Sequence, residues 1–482
     1  MKKFLLIIFL CPILFFLQGC DDKNAEKLPN YEIFVNFDEK NMVFECEQNV
    51  LYTNNESETL DKICFFLYAN AFEGESNVVS KSYTEKAYPN GESFGKISIE
   101  SVLIENEECD YEISEDKSIL TVDLPDFLCE NENVDISMTY NIELANINHR
   151  LGYGDNAINC GNFFPIICPY DNGFVTTKFS SNGDPFFSEI ADFSVEICVP
   201  NDYVVATSGK QEEQIIDGQK IVACNEKNLR DFCFVLSKKF DVVSEKCGKV
   251  DVNYYFYDDF NAKNHLKTAI LALQTFQDLF GEYEYSVLNV VKTNFCFGGM
   301  EYPQLVMISD SITDEETINY VIVHEIAHQW WYGMVGNNEY ENAWIDESLT
   351  EYSTALFFEK NSEYGLTYDD IVDGATKTYK NFVEVYSHIE GDVSEKMDRN
   401  LLQFDTEPEY VNCIYTKGIL FFDSMRDCLG DKKFFNALKF YFKTNKFKIV
   451  TRDIFIQSFS KGANRNLKSF IESWIDGKVV IN

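Results

Sequence analysis

Short runs of alternating apolar and polar residues dominate the first half of the chain. They lie between about residues 31 and 247 and are separated by turn residues, as at 96–100, 118–123 and 193–199. A period of two puts successive side chains on opposite faces of a strand, which is typical of half-buried sheets. The pattern therefore predicts an N-terminal β domain over residues 31–247.

The second half, residues 248–482, combines strand and helix patterns. Residues 251–257 and 286–292 predict two more strands, and residues 261–280 between them have apolar positions at helical spacing. After Asp310 the spacing is helical nearly to the end. A chain of 482 residues is long enough for two domains. We therefore expect a multidomain α+β protein, in which a β-sheet domain precedes a mainly helical one.

Residues 1–20 have the pattern of a signal peptide. A basic pair precedes an apolar run over 4–17, which is too short to span a ~30 Å hydrocarbon core comfortably. The run ends at Leu17-Gln18-Gly19-Cys20, which resembles a bacterial lipobox and implies that a lipid on Cys20 anchors the chain to the cell membrane. Ordinary secretory cleavage is the alternative. We expect residues 21–30 to form a tether and the rest of the chain to be extracytoplasmic.

Composition and charge exclude some classes of partner. Hydrophobic residues make up 45% of the chain and charged residues 25%, the balance of a folded protein rather than a disordered one. The formal net charge is −38, and so negative a surface repels phosphate backbones, so we expect no nucleic acid partner. The simplest interpretation is an acidic secreted protein, although such a surface could also attract cationic peptides.

The cysteines do not form the pattern of a disulfide framework. Of the fifteen, Cys11 and Cys20 belong to the leader, and the thirteen that remain are scattered without a CxxC pair. We interpret them mostly as small buried hydrophobic residues. A local bridge between Cys224 and Cys233 is an alternative that the sequence leaves open.

The first strong chemical signal is the HExxH motif His324-Glu325-Ile326-Ala327-His328. Thr313 and Glu316 upstream form a capping box, which predicts that a helix carries the motif. Residues four apart share a helical face, so both imidazoles can bind one ion, and Glu325 lies close enough to act as the catalytic base. The alternative is a pair of core histidines, but two of only five histidines fall in this frame.

Glu347 is the candidate third ligand. Eighteen residues separate it from His328, Gly333 interrupts the first helix, and residues 344–360 predict the next one. An antiparallel pair of helices can bring Glu347 back against the histidines. Two His and one Glu leave the fourth tetrahedral position open, which is the arrangement of catalytic zinc. The sequence therefore predicts one zinc ion per chain.

Glu351 is a candidate for the surroundings of this metal. It comes four residues after Glu347, or about one helical turn, and a metal-bound histidine usually donates its other ring N–H to an acceptor such as a carboxylate. A solvated helix residue is the alternative.

A glycine pair precedes the HExxH helix in Gly298-Gly299-Met300-Glu301-Tyr302-Pro303. Paired glycines let the backbone approach a substrate closely. Taken alone the run predicts only a turn. Upstream of an HExxH helix, its Glu301 becomes a candidate partner for a substrate amine.

Together these motifs resemble the gluzincin aminopeptidase family, the superfamily of aminopeptidase N and leukotriene hydrolase. Gly298 to Glu301 match the exopeptidase motif of that family, and HExxH and Glu347 have its spacing. Tyr415-Thr416-Lys417-Gly418 matches its Tyr-x-Lys-Gly. The resemblance covers essentially the whole mature chain and implies a thermolysin-like zinc-peptidase domain after the β domain.

The resemblance implies a zinc metallopeptidase that removes N-terminal amino acids from peptides. Gly298, Gly299, Met300 and Glu301 would bind a substrate with a free N-terminus. Glu325 would be the general base, and the Tyr415 hydroxyl would stabilise the oxyanion.

Three features depart from the family pattern. Tyr302 stands where better-known members carry Asn, so we expect an altered first side-chain pocket. The chain stops at Asn482, and we therefore expect it to lack the large C-terminal helical domain of many members. The family's additional amine-binding residue from the β domain has no clear match, and Asp155 or Asn156 lies in the right region.

Two other interpretations are possible. An endopeptidase or a lipid-epoxide hydrolase could use the same scaffold, but Glu301 favours an exopeptidase. A catalytically inactive surface protein could bind peptides or a partner. Such proteins usually lose the base or a metal ligand, and here all are present.

Overall fold

A computed structural model describes residues 27–74, 78–391 and 393–481. The predicted signal peptide, Cys20 and the first part of the predicted tether lie outside the described residues. In the described part, strands predominate as far as Phe256 and helices thereafter. The predicted fold class, a β-sheet domain followed by a mainly helical one, is confirmed.

The first region is built from sixteen strands, one short α-helix and one 3-10 helix among the described residues. The strands and the α-helix are β1 (Asn30–Asp38), β2 (Val43–Thr53), β3 (Leu60–Phe66), α1 (Thr84–Ala87), β4 (Lys96–Ile104), β5 (Glu107–Glu108), β6 (Tyr111–Ile113), β7 (Ile119–Leu128), β8 (Asn133–Glu143), β9 (Leu151–Tyr153), β10 (Ile158–Cys160), β11 (Ile166–Ile167), β12 (Ala191–Pro200), β13 (Val204–Thr207), β14 (Gln211–Ile216), β15 (Gln219–Leu229) and β16 (Phe234–Ser237).

These strands form three sheets. The largest has the order β14-β15-β12-β1-β2-β8-β4-β5, and the smaller two have the orders β13-β16-β10-β9 and β11-β3-β7-β6. In the first region neighbouring strands are antiparallel except for the parallel pair β1–β12. The alternation predicted from the sequence is present: in β8, Ile136, Met138, Tyr140 and Ile142 are buried and the residues between them are partly exposed. One face of the large sheet therefore packs on the core.

A five-stranded sheet opens the second region. Its strands are β17 (Asp241–Cys247), β18 (Val250–Phe256), β19 (Val287–Thr293), β20 (Gly299–Met300) and β21 (Leu305–Ser309), in the order β17-β18-β19-β21-β20. The parallel strands β18, β19 and β21 form its centre, and β20 pairs antiparallel at an edge. The predicted boundary at 247/248 falls in the turn between β17 and β18, which pair with each other. The domain limits stay a prediction.

Helices form most of the rest of the second region. They are α2 (Ala262–Phe280), α3 (Glu315–Ala327), α4 (Glu339–Asn342), α5 (Glu347–Lys360), α6 (Tyr368–Glu390), α7 (Glu407–Val411), α8 (Lys417–Leu429), α9 (Asp431–Asn445), α10 (Arg452–Gly462) and α11 (Lys468–Ile475). A π-helical turn, Asn412–Thr416, joins α7 to α8, and the short parallel strands β22 (Val335–Gly336) and β23 (Lys448–Ile449) pair with each other. Short 3-10 helices occur at Tyr68–Phe72, Ser362–Tyr364 and Leu401–Gln403.

The start of α3 differs from the predicted one by a residue. Asp314 is the N-cap, and its carboxylate accepts the Thr317 N–H at 2.8 Å, so the capping box predicted at Thr313 is wrong. An aspartate at this position satisfies a free amide of the first turn and also favours the helix dipole. α3 ends at Ala327, and His328 is its C-cap with a still helical φ of −60°. The side chains of His324 and His328 therefore lie on the same face of α3.

Buried polar contacts join the β-rich region to the helical one. The Arg230 guanidinium is 2% exposed and donates to the Tyr332 carbonyl at 2.9 Å and to the Ser188 carbonyl at 2.7 Å. The Tyr302 hydroxyl donates to Asn162 Oδ1 at 2.6 Å. A buried donor that loses its acceptor costs about 1–3 kcal/mol, so these contacts fix how the two regions meet.

The described residues contain thirteen cysteines, and all are free thiols, Cys224 and Cys233 included. Most of these side chains are buried, as the sequence predicted, and Cys129 is the exposed exception. Within residues 27–74, 78–391 and 393–481, no helix has the length and apolar character that a membrane span requires.

Candidate active site

The three predicted ligands converge on one point between α3 and α5. His328 Nε2 lies 3.2 Å from His324 Nε2 and 3.2 Å from Glu347 Oε2. His324 Nε2 lies 3.5 Å from the same carboxylate oxygen. The two helices pack against each other, and Glu347 is the first residue of α5, so packing brings its carboxylate to the end of α3.

The other ring nitrogens of the two histidines have acceptors. His328 Nδ1 donates to the Trp331 carbonyl at 2.9 Å, and His324 Nδ1 lies 2.8 Å from Glu351 Oε2. A carbonyl or carboxylate oxygen can only accept, so each Nδ1 donates away from the cluster and each Nε2 is the ring nitrogen that faces the shared point, where a metal ion would displace any proton it carries. Tyr320 Oη also donates to Glu351, at 2.5 Å. The predicted contact of Glu351 with a ligand histidine is confirmed for His324.

The electrostatics of this cluster favour a cation. Burial by itself lowers the pKa of His328, but the carboxylates of Glu301 and Glu347 outweigh burial and raise it to about 10. The pKa of His324 is raised well above its usual value for the same reason, by Glu347 and Glu351 against burial. Burial raises the pKa of Glu347, but His328 and His324 outweigh it, so the net shift is downward. Two imidazoles and one carboxylate are a donor set that suits zinc, with one position left open.

Glu325 lies beside the ligands and against the glycine pair. Its side chain is 5% exposed, and among the described residues its Oε2 has no hydrogen-bond partner. Burial, with help from Glu347 and Asp184, raises its pKa to about 7. A Cβ on Gly299 would lie 2.3 Å from Glu325 Oε1, so any side chain there would displace this carboxylate. A carboxyl with a pKa near neutrality is suited to accept and return a proton.

Glu301 places a second carboxylate in the same cavity. It is 4% exposed, and its Oε1 lacks a partner within the described part of the chain. Carboxylate oxygens of Asp184, Glu301 and Glu347 all lie within 4.8 Å of one another. Burial and the neighbouring Asp184 raise the pKa of Glu301 well above its usual value. Such a buried, unpartnered group suits a cationic ligand, which would supply the missing partner.

Asp184 joins the site without any signal in the sequence. It lies in the loop between β11 and β12, and Arg150 Nη1 donates to its Oδ1 at 2.6 Å. No motif marks this loop, so only the packing of the two regions identifies it. The predicted alternatives lie elsewhere: Asn156 contacts Lys239 at 2.7 Å, and neither Asp155 nor Asn156 lines the cavity.

Tyr415 lies on the π-helical turn and reaches the candidate ligands. Its hydroxyl donates to Glu347 Oε1, and its ring stacks on His324 at 6.1 Å. Tyr410, near the end of α7, lies 5.8 Å from Tyr415 between ring centroids. Its Oη is buried and has no partner among the described residues. Tyr410 therefore packs against Tyr415, and both line the cavity.

These groups line a cavity of about 290 Å³. Gly298 and Gly299 form part of its wall, but the Met300 side chain is 1% exposed and lies in the core. Met300 can therefore contribute only backbone. The fully buried Tyr302 side chain points to Asn162 and does not line the cavity, so the pocket change expected from this residue is not seen.

The second region matches a known family. Residues 264–474 match the peptidase family M1 domain. They are an M1 domain. It contains the three candidate ligands together with Glu301, Glu325 and Tyr415. The resemblance to the gluzincin aminopeptidases is thus confirmed.

Relatives of the M1 domain include named aminopeptidases. Probable aminopeptidase 2 of Sulfurisphaera tokodaii is 21% identical, over 94% of this chain and 54% of its own length. Leucine aminopeptidase 2 of Emericella nidulans is 29% identical, over 36% of this chain and 28% of its own length. The chain spans about half or less of the length of these curated relatives.

Solved structures with the same architecture cover both regions. An M1 zinc metallopeptidase from Deinococcus radiodurans is 15% identical with a TM-score of 0.66, and the match covers 94% of this chain and 96% of that one. A mutant of that protein bound to a Tyr-Ser-Ala substrate gives a TM-score of 0.62 at 15% identity, with 94% of both chains covered. At this identity the likeness shows a shared fold for the M1 domain and the β-rich region before it.

The Glu351 contact generates a prediction about metal affinity. Glu351→Gln should weaken metal binding by roughly 10–100-fold, because the neutral amide no longer orients and polarises the His324 ring. Competition with a chromogenic chelator measures this affinity directly. Glu363→Gln, a change at an exposed position outside the cavity, is the matched control and should bind metal like the parent. Equal affinities for all three proteins would contradict a role for Glu351.

Proposed function

We propose that this protein is a zinc-dependent aminopeptidase, a hydrolase that removes single residues from peptides with a free N-terminus. The observation that carries the proposal is the shared cavity. It holds a His324–His328–Glu347 donor set, the buried base Glu325 and the carboxylate Glu301, whose Oε1 has no partner among the described residues. The M1 domain match and the aminopeptidase names of the relatives support it.

His324, His328 and Glu347 would hold the zinc ion. When bound, zinc acts as a Lewis acid toward a carbonyl oxygen and lowers the pKa of water. Glu325 accepts the proton of the attacking water and passes it to the leaving amine. The Tyr415 hydroxyl, which donates to Glu347 in the structure, would donate to the developing oxyanion instead.

Glu301 would select the peptide end. Its carboxylate, buried and close to Asp184, would pair with the α-ammonium of the substrate. We assign Asp184 as the contribution of the β-rich region to this amine site, in place of Asp155 or Asn156. Arg150 holds Asp184 in position, at 2.6 Å. One residue would then fit between the amine site and the metal, which makes the enzyme an exopeptidase.

The N-terminal sequence supports a proposal about location. We propose that a lipid on Cys20 anchors the chain to the outer side of a bacterial cell membrane, because the lipobox-like run ends at this cysteine after an apolar segment. Cys20→Ala should move the enzyme from the membrane fraction to the soluble one and abolish labelling by a radioactive fatty acid. Cys129→Ala, an exposed change outside the leader, should alter neither. An unlabelled parent protein would contradict the proposal.

The zinc proposal is tested most directly by replacing the catalytic base. Glu325→Gln should retain about one zinc per chain by elemental analysis but lose roughly 10²–10⁴-fold in kcat, because only proton transfer is removed. Glu316→Gln, an exposed change on the same helix, should keep both metal and activity. Chelation of zinc should abolish hydrolysis by the parent enzyme. Active parent enzyme with less than half an equivalent of zinc would refute the assignment.

The amine site predicts how activity depends on the substrate end. Removing one partner of a buried charge pair costs roughly 2–5 kcal/mol, so Glu301→Ala should lower kcat/KM for free peptides by about 30-fold or more. Acetylated peptides, poor substrates even for the parent, should lose far less. Steady-state kinetics on matched free and acetylated peptides measures both. If the parent cleaves the two equally well, the endopeptidase interpretation replaces the exopeptidase one.

A further inference from the structure

One buried histidine has no role in the proposed mechanism. His265 lies in the first turn of α2, and its side chain is 1% exposed. It does not line the active-site cavity. A buried imidazole that carries a charge needs partners for that charge, so the groups around the ring decide what it can do.

Both ring nitrogens of His265 meet a carboxylate. Nδ1 lies 2.8 Å from Oδ2 of Asp259, in the connection between β18 and α2, and Nε2 lies 3.1 Å from Oε2 of Glu315, the first residue of α3. An ionised carboxylate only accepts hydrogen bonds, and a neutral imidazole has one N–H to donate. Only the doubly protonated, positively charged ring can therefore satisfy both contacts.

Two more titratable groups face this contact. Tyr254 Oη on β18 donates to Asp259 Oδ2 at 2.7 Å, and Lys292 Nζ on β19 lies 3.9 Å from the same oxygen. Burial alone would lower the pKa of His265, but Asp259 and Glu315 outweigh burial and raise it. Burial alone would raise the pKa of Asp259, but the hydrogen bonds from His265 and Tyr254 outweigh burial and lower it to about 2. Asp259 is therefore ionised at neutral pH, and the ring is held in its charged form.

The contact ties the beginning of α3 to the elements before it. Asn261 Nδ2 donates to Glu315 Oε1 at 2.6 Å, so both oxygens of this carboxylate are held from the start of α2. One turn further along the two helices, Thr268 Oγ1 donates to Asn319 Oδ1 at 2.7 Å. The other end of α3 carries the catalytic base and the two histidine ligands. A shift or tilt of its first turn would therefore move these groups relative to the rest of the cavity.

We propose that protonated His265 is a positioning residue for catalysis. It joins Asp259 to Glu315, fixes the first turn of α3 and so sets where this helix presents its metal ligands and base. The inference rests on the proposed aminopeptidase function, which gives the side chains of α3 their roles. When the ring loses a proton, one N–H remains for two carboxylates, so one contact is lost and a ring lone pair then faces a carboxylate oxygen.

The stability that this contact contributes depends on pH. Because the pKa of His265 is raised in the folded protein, the contribution is fully present below about pH 6.5, the ordinary pKa of an unfolded histidine. It is lost as the pH rises through the pKa of the folded state. The first turn of α3 should therefore loosen in alkaline solution.

The first test is nuclear magnetic resonance of the zinc-loaded protein with ¹⁵N-labelled histidine rings. The signals of His265 are identified by their loss in His265→Gln. We expect both of its ring nitrogens to carry protons at about pH 6.5, and its titration to lie above that of free histidine. A neutral ring at that pH, or a titration at or below that of free histidine, would overturn the proposal whatever the activity of the enzyme.

The second test compares arylamide hydrolysis by the parent and His265→Gln over a range of pH. At about pH 6.5 the variant should lose roughly threefold or more in kcat, because misplacing catalytic groups by about 1 Å can cost ~10²-fold. KM should change little, since Glu301 lies outside α3. The ratio of parent to variant should fall toward one as the pH rises and the ring of the parent loses its proton.

Two further variants separate positioning from a general structural role. Glu315→Gln changes a side chain that is 53% exposed, so it should fold even if His265→Gln does not, and it should show the same pH-dependent loss in kcat. His388→Gln, an exposed change on α6 outside the cavity, should match the parent at every pH. An equal loss in His265→Gln at all pH values, or no loss, would overturn the positioning role. If the parent cleaves no arylamide, the aminopeptidase proposal itself fails, whereas a neutral His265 ring overturns the positioning role alone.

Discussion

The close packing of α3 against α5 is the constraint on which the site depends. It holds two imidazole nitrogens and a carboxylate oxygen 3.2–3.5 Å apart in a buried position. Ions are expensive to desolvate, and breaking such a buried pair by removing one partner costs about 3–5 kcal/mol. The contacts of Trp331 and Glu351 with the far sides of the imidazoles offset part of this cost by satisfying the remaining ring nitrogens. The same contacts fix the orientation of each ring.

The cavity is completed by the β-rich region rather than by the M1 domain alone. Asp184 and Arg150 approach Glu301 from the β side, and Ser80 and Ser82 reach across to Glu407. Buried contacts such as that of Arg230 with the Tyr332 carbonyl hold the two regions in one relative position. If the regions shifted, the buried N–H groups of Arg230 would lose their acceptors and could not bind water instead. The β-rich region therefore acts as one wall of the site as well as a separate layer of the fold.

Crowding of like charges gives the cavity its chemical character. Burial and neighbouring carboxylates raise the pKa values of Glu301 and Glu325, and the same negative field stabilises any cation placed among them. A divalent metal and a peptide ammonium are two cations of different geometry. The cavity offers each a different set of oxygen atoms, so one electrostatic environment can serve binding and catalysis together.

The amino-acid sequence by itself determined the parts of the site whose geometry is local. His324, Glu325 and His328 are linked by helical periodicity, which places residues four apart on one face whatever the rest of the fold does. Spacing and the helix break also identified Glu347, and the family resemblance added Glu301 and Tyr415. The alternation of apolar residues predicted the β-rich first half for the same reason, since a period of two sets which face is buried.

Tertiary structure alone decided which distant residues share the cavity. Asp184 lies in a loop without a motif. No local pattern distinguishes it from Asp155, which does not line the cavity. The side chain of Tyr302, next to Glu301, points into the contact between the two regions. It fits there because Gly161 has no side chain to occupy the same space. Glu407 is positioned by hydrogen bonds from Ser80 and Ser82, which lie more than 300 residues earlier in the chain. Backbone periodicity extends over a few residues, whereas these contacts depend on how whole sheets and helices pack.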